Sequence, residues 1–150
     1  MKKITEENIA EKWLSSFARG ISEEFIKNHV HTDCNFLWHI FSFGEAQCLK
    51  EGEAKKAFDA LSYEKAYIFK SGYCQNGKPE ILDFGITDKI DYNKLPKHGD
   101  VYITALDFSW TYVRTHEDGC FGPYFARKKL YDWEIRNLAC ENKNLSTDIE

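Results

Sequence analysis

The chain has 150 residues, 43% hydrophobic and 29% charged, which suits one globular domain burying roughly two thirds of its unfolded surface. Twenty Lys and Arg against 24 Asp and Glu give a formal charge of −4, and the two signs are interspersed. With no basic stripe, a nucleic-acid partner is not expected. Met1-Lys2-Lys3 leads directly into Ile4-Thr5-Glu6-Glu7 without the apolar stretch of an export signal. The longest aromatic and aliphatic run, Phe36 to Phe41, is far too short to span a bilayer. A cytoplasmic protein with no membrane association is expected. The five cysteines, Cys34, Cys48, Cys74, Cys120 and Cys140, have no CxxC spacing and read as reduced thiols.

In chain order, Thr5 reads as an N-cap followed by Glu6 and Glu7, where negative charge suits the helix dipole. Ile9, Ala10, Trp13, Leu14 and Phe17 recur at helical spacing, and Gly20 closes the run. A second helix is expected from Ser22, with Glu23 and Glu24 in its first turn and Ile21 stapling onto Ile26. Phe36, Trp38 and Ile40 alternate with Leu37, His39 and Phe41, all large, which reads as a central strand buried on both faces. Ser42 to Lys50 is a loop, and Glu53 to Leu61 a short helix with Ala54, Ala57, Phe58 and Leu61 on one face.

Ala66 to Tyr73 has strand character, Gln75-Asn76-Gly77-Lys78-Pro79 is a turn, and Ile81 to Ile86 completes a hairpin. Thr87 to Asp100 is a polar connection holding at most one helical turn. Val101 to Thr104 and the run from Phe108 form another hairpin. There Phe108, Trp110 and Tyr112 point one way, while Ser109, Thr111, Val113 and Thr115 point the other. Glu117-Asp118-Gly119 fits a three-residue hairpin loop that sets His116 opposite Cys120. Gly122 and Pro123 interrupt the next strand, so Tyr124 to Arg127 resumes as an edge strand or past a bulge. Leu130 to Leu138 fits a closing helix or a last strand.

The predicted class is α+β, a mainly antiparallel sheet with the N-terminal helices packed on one face. Residues 1–141 form one domain and 142–150 a polar tail that frays.

Three groups of residues are candidate sites. His116 and Cys120, with Glu117 as orienter, are the residue types of a thiol nucleophile and its base, although nothing obvious supplies an oxyanion hole and a structural role at the turn competes. His29, His31, Cys34 and His39 are ligand types for a transition metal; their spacing matches no zinc pattern, so no metal is expected. A surface patch of His116, Glu117, Asp118, Tyr124 and Arg127 around two fixed bends carries the charged and aromatic groups typical of interfaces.

Asp107-Phe-Ser-Trp110-Thr-Tyr-Val-Arg-Thr-His-Glu117 followed by Cys120-Phe-Gly-Pro-Tyr-Phe125 resembles a family of small Firmicutes proteins, domain of unknown function 4275. Phe36-Leu-Trp-His-Ile-Phe41, Cys48-Leu49 and Gly52-Glu-Ala-Lys-Lys-Ala-Phe58 are similar to its earlier block. The resemblance implies no activity and no catalytic residue. The chain has no cofactor motif, no phosphate loop and no complete catalytic set, so no cofactor is expected. The leading expectation is a non-enzymatic binding protein acting on a protein partner, in the manner of an immunity-type inhibitor. A thiol-dependent or hydrolytic enzyme using His116, Glu117 and Cys120 is the alternative, and a small-molecule binding module the third.

Overall fold

The computed structural model describes residues 3–32, 35–117, 120–129 and 133–137. A six-stranded sheet forms the middle layer, and every neighbouring pair in it is antiparallel. Helices cover both of its faces.

Helix α1 spans Ile9–Phe17 and buries Ile9, Ala10, Trp13, Ser16 and Phe17 along one stripe. Thr5 does not cap it with its side chain. Its carbonyl accepts from the Ile9 amide at 3.0 Å, and its own N–H donates to Asn8 Oδ1 at 2.7 Å, so the entry turn is a backbone device. Gly20 sits at φ +84 and turns the chain out of α1. Helix α2, Glu23–His29, starts as expected, with Ser22 Oγ accepting from the Phe25 amide at 3.1 Å.

Phe36 to Phe41 is not a strand. It is a turn leading into a short helix α3, His39–Ser42, with Leu37, Trp38, Ile40 and Phe41 all buried. Phe36 and His39 are half-buried beside these four, and a short apolar run carries no periodicity that separates strand from buried helix.

After the two-residue strand β1, Leu49–Lys50, helix α4 runs over Glu51–Asp59 and buries Ala54 and Phe58. Strands β2, Lys65–Gln75, and β3, Lys78–Asp88, form a long hairpin. Asn76 and Gly77 close it with φ of 54 and 76, the pair of positive angles that a type I′ turn needs. One 3-10 turn, Tyr92–Lys94, interrupts the polar connection to β4, Val101–Ala105. Strand β5, Trp110–Arg114, pairs with β4, and β6, Tyr124–Arg127, pairs with β5. The order across the sheet is β1-β6-β5-β4-β2-β3.

Tyr124 to Arg127 is therefore not an edge: β1 pairs with it through Leu49↔Phe125 and Lys50↔Tyr124, and β1 is the edge. Parity along the hairpin also breaks at one residue. Trp110 and Tyr112 face α4, whereas Phe108, at φ 59 in the β4–β5 turn, swings to the α1 face and lies 5.5 Å from the Tyr67 ring.

On the α1 face, Trp13 meets Phe41 and Tyr102 edge-on at 5.8 and 5.3 Å. Its indole N–H donates to Thr111 Oγ1 at 3.0 Å, and that hydroxyl also lies 2.9 Å from Thr104 Oγ1 and donates to the Ile103 carbonyl at 3.0 Å. One hydroxyl donates once and accepts twice, so Thr111 is saturated. On the other face Phe58 stacks on Tyr112 at 4.2 Å, and Trp110, 6% exposed, packs against Tyr63.

Residues 133–137 are helical, and Glu134 pairs with Arg19 just beyond α1. The rest of 130–150, including the polar tail, lies outside the described residues. Among the described residues no helix is long and apolar enough to cross a membrane.

Candidate functional site

His116 is held by a residue that the sequence did not point to. Asp100 is buried, its side chain only 1% exposed. One oxygen, Oδ1, accepts from the His116 backbone N–H at 2.6 Å and from His116 Nδ1 at 2.8 Å. The other, Oδ2, accepts from Trp38 Nε1 at 3.0 Å. An ionised carboxylate only accepts, so this geometry places a proton on Nδ1 and leaves Nε2 as the outward atom of the ring. Glu117 Oε1 lies 3.8 Å from Nε2.

Local folding explains the arrangement. Val101 pairs with Arg114, and the same register carried one residue further sets Asp100 beside Thr115 and next to His116. Asp100 and Tyr102 share a strand face, so the Asp100 carboxylate enters the sheet side that α3 covers. There Trp38 supplies the third donor.

Around the imidazole the rings touch in an unbroken series. Phe36 lies 4.9 Å from both Tyr73 and His116, and 5.5 Å from Trp38. Trp38 is 5.8 Å from Phe121 and 4.3 Å from His39. His39 leads to Phe43 at 5.4 Å, and Phe43 to His29 at 5.2 Å. Phe43, Tyr73 and Phe121 are 53, 52 and 44% exposed.

The remaining candidates separate. The strand ladder ends at Val113↔Tyr124, so His116 and Cys120 are not a ladder pair. Cys120 is exposed, and its backbone N–H donates to the Glu117 carbonyl at 2.9 Å. Tyr124 is 3% exposed and packs 5.4 Å from Phe41. Burial, with Cys48 and Glu117 nearby, pushes its hydroxyl pKa up to about 12. Arg127 lies at the far end of β6 opposite Trp110, its guanidinium 5.5 Å from the Phe125 ring. Asp118 and Cys34 lie outside the described residues. Among the described residues no three His, Cys, Asp or Glu converge as metal ligands. His31 lines a different hollow from the one beside His116.

That hollow, about 1060 Å³ between α1, α2 and the β2–β3 turn, is the largest of the described cavities. Its rim carries Glu6, Glu7 and Glu11 but no oriented acid–base pair, so chemistry rather than volume places the candidate site at His116.

His39 joins the two ends of the ring series, with Nδ1 2.9 Å from Ser42 Oγ. Burial lowers its pKa; Glu117 and Asp100 oppose the shift, and His116 and His29 add to it. The folded protein thus gives up the His39 proton at a pH where the unfolded chain, near about 6.5, still holds it. Unfolding takes up a proton in that window, so stability is complete above about pH 6.5 and falls as pH drops through the lowered value. A His39→Gln variant is expected to lose less stability between pH 7 and pH 5 than the parent, measured by urea denaturation. Equal losses would assign the acid sensitivity elsewhere, with His31, also lowered by burial, the next group to replace.

The family described as Domain of unknown function (DUF4275) matches residues 3–125. The chain belongs to that family. The DUF4275 match takes in α1 through the first half of β6, and hence the whole His116–Asp100–Trp38 arrangement. No curated protein and no solved structure matches this DUF4275 chain. The residues that sequence reasoning missed are Asp100, Phe36, Trp38, Tyr73 and Phe121. For Asp100 the one local mark is a carboxylate between Gly99 and the strand run Val101–Ala105, which gives its place but not its partners.

Proposed function

We propose that this chain is a non-enzymatic recognition protein that engages a protein partner through the aromatic and histidine surface around His116. One observation carries the reading: the ring series is continuous, yet three of its large members, Phe43, Tyr73 and Phe121, are about half exposed. Leaving such rings in water forfeits burial that each would gain at roughly 25 cal/mol per Å², and contiguous exposed apolar surface marks interaction sites. Aromatic anchors ringed by polar groups are the composition of interface hot spots. Net charge −4 suits a basic partner and favours an inhibitory, immunity-type role.

The test is affinity capture with the tagged chain, comparing Tyr73→Ser and Phe121→Ser with Leu82→Ser, whose side chain is 58% exposed on β3. A partner retained by the Leu82 variant and lost with both others supports the reading. Retention by all three places the interface elsewhere. A second reading, a hydrolytic enzyme, is favoured by the carboxylate-held imidazole, which resembles the base of a hydrolase. Hydrolysis of a model ester abolished by both His116→Ala and Asp100→Asn would support it over the first.

A further inference from the structure

A second feature adjoins the ring series at His116 and extends past Arg114 toward α4. Two adjoining hollows, about 260 and 320 Å³, share Lys97 and Arg114 in their walls. Lys55 and Tyr92 complete the first, and His98 and His116 the second. Three permanent cations thus converge from three elements, α4, the 3-10 connection and β5, in a chain whose net charge is −4. Among the described residues no carboxylate lines either hollow, and none lies within ion-pair distance of Lys55, Lys97 or Arg114.

The cations are also positioned. Arg114 Nη2 donates to the Gly99 carbonyl at 3.1 Å, which holds one edge of a guanidinium that lines both hollows and has further N–H donors. Lys55 Nζ sits 5.1 Å above the Tyr92 ring, an arrangement that steadies an ammonium without neutralising it. Asp100 and Glu117 stand against His116 at the end of the second hollow, whereas Lys55, Lys97 and Arg114 share the first with no carboxylate in its lining; like charges so gathered repel, and an anion between them relieves the repulsion.

We propose that this cleft binds the phosphate group of a small phosphorylated molecule. Arg114 supplies the planar fork that matches phosphate oxygens, and Lys55 and Lys97 supply point charges. The first hollow, about 260 Å³, has ample room for a phosphate group and lies just below the size at which pockets for whole drug-sized ligands start, about 300 Å³. The second hollow then takes the ester group and leads it toward His116. The second hollow meets the ring surface at His116, but Lys55, Lys97 and Arg114 lie outside the ring series, so replacing the two lysines tests this site without altering that surface.

The test is titration followed by amide chemical shifts, with phenyl phosphate and inorganic phosphate as probes and sodium chloride holding ionic strength constant. Saturable shifts are expected at Asn93, Gly99 and Thr115. Tighter binding of phenyl phosphate assigns the site to an organic ester, and equal binding assigns it to the phosphate group alone. The Lys55→Gln, Lys97→Gln double variant keeps the Arg114–Gly99 hydrogen bond and is expected to bind at least tenfold more weakly. A Lys65→Gln control, which removes an exposed cation paired with Asp88 elsewhere, is expected to bind as the parent does. Shifts that never saturate, or an affinity unchanged in the double variant, would overturn the proposal.

Discussion

Replacing Trp13 by Ala is expected to lower the free energy of unfolding by about 3–5 kcal/mol, the range for removing a buried large aromatic. Its side chain is 0% exposed and touches Phe17, Phe41 and Tyr102. The void would open where α1 meets the sheet, and the rigid rings around it leave little scope for collapse. Thr111 would lose a donor as well, although its contacts with Thr104 and Ile103 remain. A Trp13→Phe variant separates the terms: it keeps most of the packing and should cost about 1–2 kcal/mol, close to one net hydrogen bond plus a small cavity. Urea denaturation measures both. A Trp13→Ala cost below about 1.5 kcal/mol would mean that α1 is not part of the cooperative core.

The second large effect is expected at Asp100. Asp100→Ala removes the acceptor for three donors at once, the His116 N–H, His116 Nδ1 and Trp38 Nε1. Of these, the Trp38 indole is inside the protein, because Trp38 is 1% exposed. Leaving buried donors unpaired costs about 1–3 kcal/mol each, more where a charge is involved, so a total near 3 kcal/mol is expected. Asp100→Asn gives the sharper result. Its single carbonyl oxygen can serve either His116 or Trp38, and its NH₂ then confronts a donor on the other side. One of the two contacts must break, and the Trp38 indole N–H resonance reports which. An indole resonance and a stability both unchanged in Asp100→Asn would show that the carboxylate does not organise this corner.

What could be read in advance divides along a physical line. The Ser22 cap and the Asn76-Gly77 turn rest on local backbone preference, and neighbouring residues alone decide them. Phe36 to Phe41 was misread because six large residues satisfy both periods, and only the surrounding walls choose the helix. Phe108 escaped because one positive φ reverses parity, which no alternating pattern encodes. Of the site, His116 and Glu117 were legible as chemistry. Asp100 was not, because its role depends on a strand register and on Trp38, which sits in the misread segment. The patch of His116, Glu117, Asp118, Tyr124 and Arg127 around the two bends divides for a related reason: residues three apart on a strand point to opposite faces, so β6 sends Tyr124 and Arg127 in different directions.

The bond between Trp13 and Thr111 spans 98 residues of sequence, and that between Trp38 and Asp100 spans 62. During synthesis at about 5–20 residues per second, the first helix must wait on the order of 5 to 20 s before its indole meets its acceptor. Strand β1 has no strand partner until β6 has emerged, and the α1 stripe, which meets Phe41 and Tyr102 earlier, gains its hydrogen bond only with β5. Helix α1 thus receives its long-range hydrogen bond late, and a nascent chain shorter than about Arg127 carries an incompletely covered aromatic face. Such long-range closure slows folding and leaves intermediates open to association. A chaperone that holds the first hundred residues would act on the interval that the topology itself creates.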